Sequence, residues 1–335
     1  MSLEKPSNGK LSPATLFSLK LPKIVGVLIF LVFSTAAIFI LIRDSQRLLA
    51  YSFNINLWLI VLSFIIECSG LLLAVPVWNK ILGRFGNKTN LRDDLRIYSY
   101  SMLGVVLPGG LWSAVSRVAF YERKGIPKFN VLSASLVEFV LMGLAGLIVY
   151  GTITTLQPSE QIWQNPIIAI LCIGLSLFLL QPPIFNRIVG LLQKQSNKAS
   201  TSLTSMSYRD LGLWLVMESF VVVLGGTAVF VLLRSITVVS LNLLLQIISA
   251  WAIAVITGNL FFWLPGTPIV RDGAMALILA QSLTPSLAIA FVLLVRIWTI
   301  ASILVLIGFV WLAYGQDDRQ IIKKYIKSKL FSTDY

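Results

Sequence analysis

Seven ionisable side chains stand inside stretches otherwise made of apolar residues: Glu67, Arg117, Glu138, Glu218, Arg271, Asp272 and Arg296. A charge at the centre of a membrane-spanning helix costs about 2.5–3.5 kcal/mol on insertion scales, so such residues turn inward, pair with one another or line a wet path. Arg117 and Arg271 each follow a break in an apolar segment. The first break is Leu107-Pro108-Gly109-Gly110-Leu111-Trp112, the second Leu264-Pro265-Gly266-Thr267-Pro268. Proline removes a backbone donor and glycine admits conformations that other residues avoid, so a helix stops at either place. A helix that restarts there offers free N–H groups and a positive dipole end, and a neighbouring arginine adds a planar two-pronged donor. The chemistry of that combination is anion binding, and the phosphate of a lipid headgroup suits it. Gly109, Gly110 and Gly266 would let the backbone approach the headgroup. Glu67, Glu138, Asp272 and Arg296 would line or brace the polar path.

Each of these readings has a plainer rival. The breaks can be turns between helices at the membrane surface. Glu138 and Arg296 can be a structural ion pair between two halves of the chain. Glu218, near the Arg209 end of its segment, can reach back to the surface along its own stem. Trp58, Trp78, Trp163 and Trp311 lie near segment ends and read as interfacial belt residues, while Trp112 and Trp263 flank the breaks.

The elements that must carry these residues are membrane helices. Of 335 residues 57% are hydrophobic and 12% charged, against about 25% charged in a soluble domain; mean hydropathy is +0.85. With no histidine and only Cys68 and Cys172, in separate apolar segments, the sequence offers no structural zinc site, no Ser/His/Asp triad and no Cys/His pair. No cofactor, metal or catalytic residue is expected. The net charge of +13 reports topology and attraction to anionic lipid rather than nucleic acid, because the basic residues sit in loops beside apolar segments.

Hydropathy predicts an all-α polytopic membrane protein with about six full spans, over 24–42, 57–77, 131–150, 167–180, 211–233 and 287–314. Two broken segments, 94–120 and 241–283, read as re-entrant hairpins. Residues 1–21 form a polar tail, 22–314 the membrane domain, with halves over 22–185 and 208–314 joined by a linker at 186–207, and 315–335 a basic tail. The second half repeats the first: a span with a glutamate (Glu67, Glu218), a broken segment (Pro108, Pro265), then a charged span in which Leu136-Val137-Glu138 parallels Leu294-Val295-Arg296. With both termini in the cytoplasm, 22 of the 27 Lys and Arg fall on the cytoplasmic side, as the positive-inside bias requires. The first hairpin then enters from the cytoplasm and the second from outside. Inverted repeats of this kind place a transporter's site near the midplane. If 241–264 crossed completely, the basic C-terminal tail would move outside.

The run Leu107–Trp112 followed by Arg117, with Arg123-Lys124-Gly125 after it, resembles the first signature of the lysylphosphatidylglycerol synthase transmembrane family. The stretch Pro265-Gly266-Thr267-Pro268-Ile269-Val270-Arg271-Asp272-Gly273-Ala274 is similar to that family's second signature, Pro-Gly-Gly-x-Gly-x-Arg-Glu-Gly, with an arginine in the next span where Arg296 stands. The resemblance covers residues 20–315. It implies a flippase-like fold that moves a lipid between leaflets of the cytoplasmic membrane. Without the fused synthase domain, aminoacyl transfer is not expected. Thr267, Pro268 and Asp272 depart from the family text, and proline at 268 stiffens the second break.

These readings lead to a translocase for an anionic phospholipid or polyprenyl-phosphate-linked headgroup. Its partners would be anionic lipids and a glycosyltransferase or lipid-modifying enzyme. Two alternatives are a membrane-embedded transferase using a lipid-phosphate donor, with Asp93-Asp94 as its acidic pair, and a non-catalytic partner of a cell-envelope enzyme that uses the basic loop at 78–128.

Overall fold

Asn56 opens the first long helix by accepting hydrogen bonds from the backbone N–H groups of Trp58 and Leu59 at 3.1 and 3.3 Å, which satisfies donors that have no partner inside the helix. In the computed structural model, residues 35, 38–40, 42–44, 54–106, 111–157, 165–194, 205–262 and 267–330 are described. Among them the regular structure is helical: α1 (Leu57–Arg84), α2 (Leu91–Ser101), α3 (Leu103–Val106), α4 (Trp112–Glu122), α5 (Lys128–Leu156), α6 (Pro166–Leu179), α7 (Pro182–Lys194), α8 (Tyr208–Ile236), α9 (Leu243–Leu260), α10 (Thr267–Leu279) and α11 (Pro285–Leu330).

Five helices are long and apolar enough to cross a bilayer: α1, α5, α8, α9 and the Pro285–Tyr314 part of α11. The surface agrees with a membrane environment. Large apolar side chains such as Ile65, Leu171, Phe220, Ile297 and Phe309 point outward, while Glu67, Asp94, Arg117, Glu138 and Glu218 are buried. Packing in lipid rewards that inversion, because polar groups there find partners only inside the protein. This is a polytopic helical membrane protein.

Three expectations change. Most of the span expected at 24–42 lies outside the described residues. The span at 167–180 is the 14-residue helix α6, about 21 Å long and shorter than the roughly 30 Å hydrocarbon core. The linker expected at 186–207 begins inside the helix α7, and Asn186 holds the start of α8 by bonding both the N–H and the C=O of Met206 at 3.0 and 3.1 Å. Apolar residues in Pro182–Lys194 recur at helical spacing, and polarity alone hid them. At the same end, Ser207 and Asp210 form a capping box, and Arg84 at the end of α1 bonds Asp210 at 2.5 Å.

Both broken segments consist of two helical arms. The first segment turns at Met102 and at Leu111, and in the second α9 ends at Phe261 and α10 begins at Thr267. The arms differ in length. With 18 residues, α9 is about 27 Å long, enough to cross by length, whereas its counterpart is divided into α2 and α3. Gly104 lets α3 lie against the start of α4, where a Cβ would come within 2.4 Å of the Ser113 nitrogen.

Helices distant in the chain pack side by side. The glutamate-bearing helices α1 and α8 pack along each other; α5 of the first half packs on α9, the first arm of the second; and α11 of the second half packs on α2, the first arm of the first. Buried side chains form two apolar clusters, one centred on α5, α8 and α9, the other on α1, α2 and α8.

Candidate functional site

A cavity of about 270 Å³ opens between these helices. Glu67 reaches it from α1, Arg117 from α4, Glu138 from α5, Arg271 and Asp272 from α10, and Arg296 from α11. These are six of the seven intramembrane charges marked in the sequence. Residues separated by up to 229 positions therefore meet at one place, although most of the remaining lining is apolar.

Arg117 is 1% exposed. Its guanidinium lies between the rings of Trp78 and Tyr98, 4.3 and 4.1 Å from their centroids. Its Nε donates to the Ser101 hydroxyl at 3.1 Å, and its Nη1 donates to Glu138 Oε2. A buried charge stays charged only when paired and hydrogen-bonded in this way. The aromatic faces add attraction to the cation.

A second ion pair joins α10 and α11, here with the acid on the shorter helix and the arginine on the longer. Arg296 on α11 donates from Nη1 to Asp272 Oδ2 on α10 at 2.7 Å. The alternative pairing of Glu138 with Arg296 does not form: Glu138 pairs with Arg117 of α4, and Arg296 with Asp272 of α10. The reason is geometric, since α4 packs on α5 and α10 on α11, so the nearest opposite charge lies across a local helix pair.

Arg271 is held differently. Its guanidinium stands 4.7 Å from the Trp251 ring centroid on α9, and Glu67 and Asp272 act on it electrostatically. Among the described residues no carboxylate lies within 4.0 Å of its nitrogens, so its planar fork is open toward the cavity. Arg271 stands near the start of α10, where backbone N–H groups favour an anion. Thr267 Oγ1 donates to the Phe261 carbonyl and ties that start to the end of α9.

Gly109, Gly110 and Gly266, expected to approach a headgroup, lie outside the described residues, as do Pro108, Trp263 and Pro265. Trp112 is half exposed. Glu218 departs from expectation: it is 1% exposed, and both its carboxylate oxygens are buried without a hydrogen-bond partner. The α8 face that carries it packs into the bundle, so its stem has no route to the surface. Trp78, read as a belt residue, is fully buried and donates its indole N–H to the Tyr121 hydroxyl at 2.7 Å.

The Asp93-Asp94 pair does not form an open acidic site. Asp94 is fully buried and accepts from Tyr121, Asn79 and Thr89 at 2.6, 2.7 and 2.7 Å. Asp93 bonds Lys124 at 2.6 Å near the surface. Successive residues on one helix point about 100° apart, so the two carboxylates face different surroundings.

The roles of Trp251, Tyr98 and Ser101 escaped the sequence reading. Trp251 stands in a stretch without charges, and nothing local marks it as an arginine's platform. Neither the sequence nor the fold of this chain matches a family model, a curated protein or a solved structure.

Proposed function

We propose that this chain is a lipid translocase that takes the headgroup of an anionic phospholipid, or of a polyprenyl-phosphate-linked sugar, into its cavity and passes it between leaflets of the cytoplasmic membrane. The observation that carries this reading is the convergence of the broken segments' arginines on one largely apolar cavity, with Arg271 uncommitted to a hydrogen-bonded carboxylate. A phosphate there would accept from the guanidinium fork and from the first N–H groups of α10. The volume of about 270 Å³ lies at the lower edge of small-molecule pockets. It suits a headgroup, with the acyl chains left among the apolar outer faces of the helices.

In this reading Arg271 binds phosphate first. Arg117 is a second anion contact, available when Glu138 lets it go. Glu67 and Asp272 balance Arg271, and Arg296 braces Asp272. The packing of α1 on α8, α5 on α9 and α11 on α2 supports an inverted repeat with hairpins entering from opposite sides, and the charge bias favours cytoplasmic termini. The resemblance to the lysylphosphatidylglycerol synthase transmembrane family points the same way. An enzyme that makes or consumes the lipid, such as a glycosyltransferase, would be the natural partner.

The test is reconstitution into liposomes with headgroup-labelled phosphatidylglycerol, phosphatidylethanolamine and a polyprenyl phosphate. Faster movement of an anionic lipid between leaflets, lost in Arg271→Ala, is the expected result. No acceleration across the whole panel by folded protein would overturn the reading.

A further inference from the structure

Among the described residues Glu218 takes part in no ion pair or hydrogen bond. It lies on α8, buried, with Oε1 and Oε2 both lacking a partner, and Glu138 Oε1 is a third buried carboxylate oxygen in the same condition. The charges that act on Glu218 are Glu138 from α5 and Arg117 from α4, and it in turn acts on Tyr98 of α2. The packed helix α9 supplies no titratable residue. Glu67 of α1 sits with Arg271, and Arg296 of α11 with Asp272.

Charge balance then restricts what Glu218 can be. The cavity is lined by three arginines, Arg117, Arg271 and Arg296, and three acids, Glu67, Glu138 and Asp272. With all six ionised the lining is neutral, and Arg117 is already committed to Glu138. Among the described residues an ionised Glu218 would have no cation within 4.0 Å and no hydrogen bond, with Arg117 acting on it only from farther away, a costly arrangement in a protein interior. As a neutral acid it has one O–H to give, and the Glu138 carboxylate beside it, which holds Arg117 and the Tyr98 hydroxyl, keeps Oε1 buried without a close donor.

We propose that Glu218 holds a proton in the resting protein, and that the Glu138–Glu218 pair takes up a second proton from water when an anion draws Arg117 away from Glu138. This rests on the anion-binding reading of the cavity and adds coupling to it. An anion entering a neutral lining leaves one uncompensated negative charge. Glu138, once released from Arg117, is a buried carboxylate left with the Tyr98 hydroxyl alone, and it is the acid closest to the displaced charge. A proton on Glu138 restores the balance, so anion and proton bind together, and by linkage each favours the other. A proton gradient could then drive movement of the lipid.

Two readouts separate the proton site from the coupling. Infrared spectra of the full chain in nanodiscs at neutral pH are expected to contain a protonated-carboxyl C=O band that disappears in Glu218→Gln. If Glu218→Gln does not accumulate, Glu218→Met serves the same purpose. A spectrum unchanged by the substitution overturns the proton site, and a band abolished by adding sodium assigns the place to a metal cation and overturns it equally. Short-chain phosphatidylglycerol, with inorganic phosphate in a parallel arm, is then titrated into weakly buffered protein containing a pH-sensitive dye. Uptake of one proton per bound lipid, and binding about tenfold tighter for each unit fall in pH, are expected in the wild type and lost in Glu138→Gln. Binding without proton uptake overturns the coupling and leaves the anion site standing. Absence of binding by either probe, with the infrared band intact, overturns the anion site and the coupling but not the proton on Glu218.

Discussion

Arg296 and Asp272 lie 2.7 Å apart and 24 positions apart in the chain, while Arg117 and Glu138 are bonded across 21 positions, with arginine and acid exchanged between arm and span. Each ion pair joins a short helix to the long helix that follows it, α4 to α5 and α10 to α11. The two pairs differ in burial: Arg117 and Glu138 side chains are 2% and 4% exposed, Arg296 and Asp272 37% and 21%. Burial decides what each is worth. Losing one partner of the buried pair strands a charge and costs about 3–5 kcal/mol, whereas a wetter pair contributes about 1 kcal/mol or less. Arg117→Ala is thus expected to lower the thermal midpoint in detergent far more than Arg296→Ala. The double variant Arg117→Met/Glu138→Met should recover most of the loss, and a thermal-shift series over the four proteins measures it.

Arg271 is expected to behave in the opposite way. Its close contact is the Trp251 face, worth about 0.5–2 kcal/mol, and Glu67 and Asp272 act on it without a bridge inside 4.0 Å, so Arg271→Ala should insert and fold while losing lipid movement. Arg271→Lys keeps the charge without the planar fork and should restore only part of the rate. Melting temperature and transbilayer movement measured on the same preparations separate the two effects. Loss of folding in Arg271→Ala would return this residue to a structural role.

Gly225 positions the platform. A Cβ added there would fall 2.4 Å from Trp251 Nε1, so Gly225→Ala must push the indole away from α8 and move the surface under Arg271. Overpacking of this kind costs about 1–3 kcal/mol. The expected result is a modest fall in stability with a larger fall in anion affinity. Quenching of tryptophan fluorescence by added anionic lipid, compared with the wild type, reads the second effect.

Asp93 and Asp94 should separate sharply. Asp94→Ala leaves Tyr121, which is buried, and the half-buried Thr89 without their acceptor, while Asn79 keeps Thr89 as a second one; a buried donor left unsatisfied costs about 1–3 kcal/mol. Yield and thermal midpoint are expected to drop severely. Asp93→Ala removes a surface contact with Lys124 worth about 1 kcal/mol or less and should leave both stability and lipid movement unchanged. A transferase built on this acidic pair would instead lose its activity in the Asp93 variant.

The amino-acid sequence by itself determined the class of protein and the identity of its unusual residues. Long apolar runs can satisfy their backbone in lipid only as helices, and charges within them are too costly to be accidental. Glu67, Arg117, Glu138, Arg271, Asp272 and Arg296 were therefore legible as one set before any contact was visible. An interruption of the second apolar segment was legible too, since α9 ends at Phe261, shortly before its Pro-Gly pair. Pairing was not. Whether Glu138 meets Arg296 or Arg117 depends on which helices pack side by side, and apolar text specifies that weakly, since many registers bury similar surface. The tertiary structure also decided that Glu218 lies inside the bundle, that Trp78 and Trp251 serve as platforms for arginines, and that Asp94 is a buried structural acceptor. Each of these depends on neighbours contributed by helices distant in the chain, and hydropathy within a single segment carries no information about them.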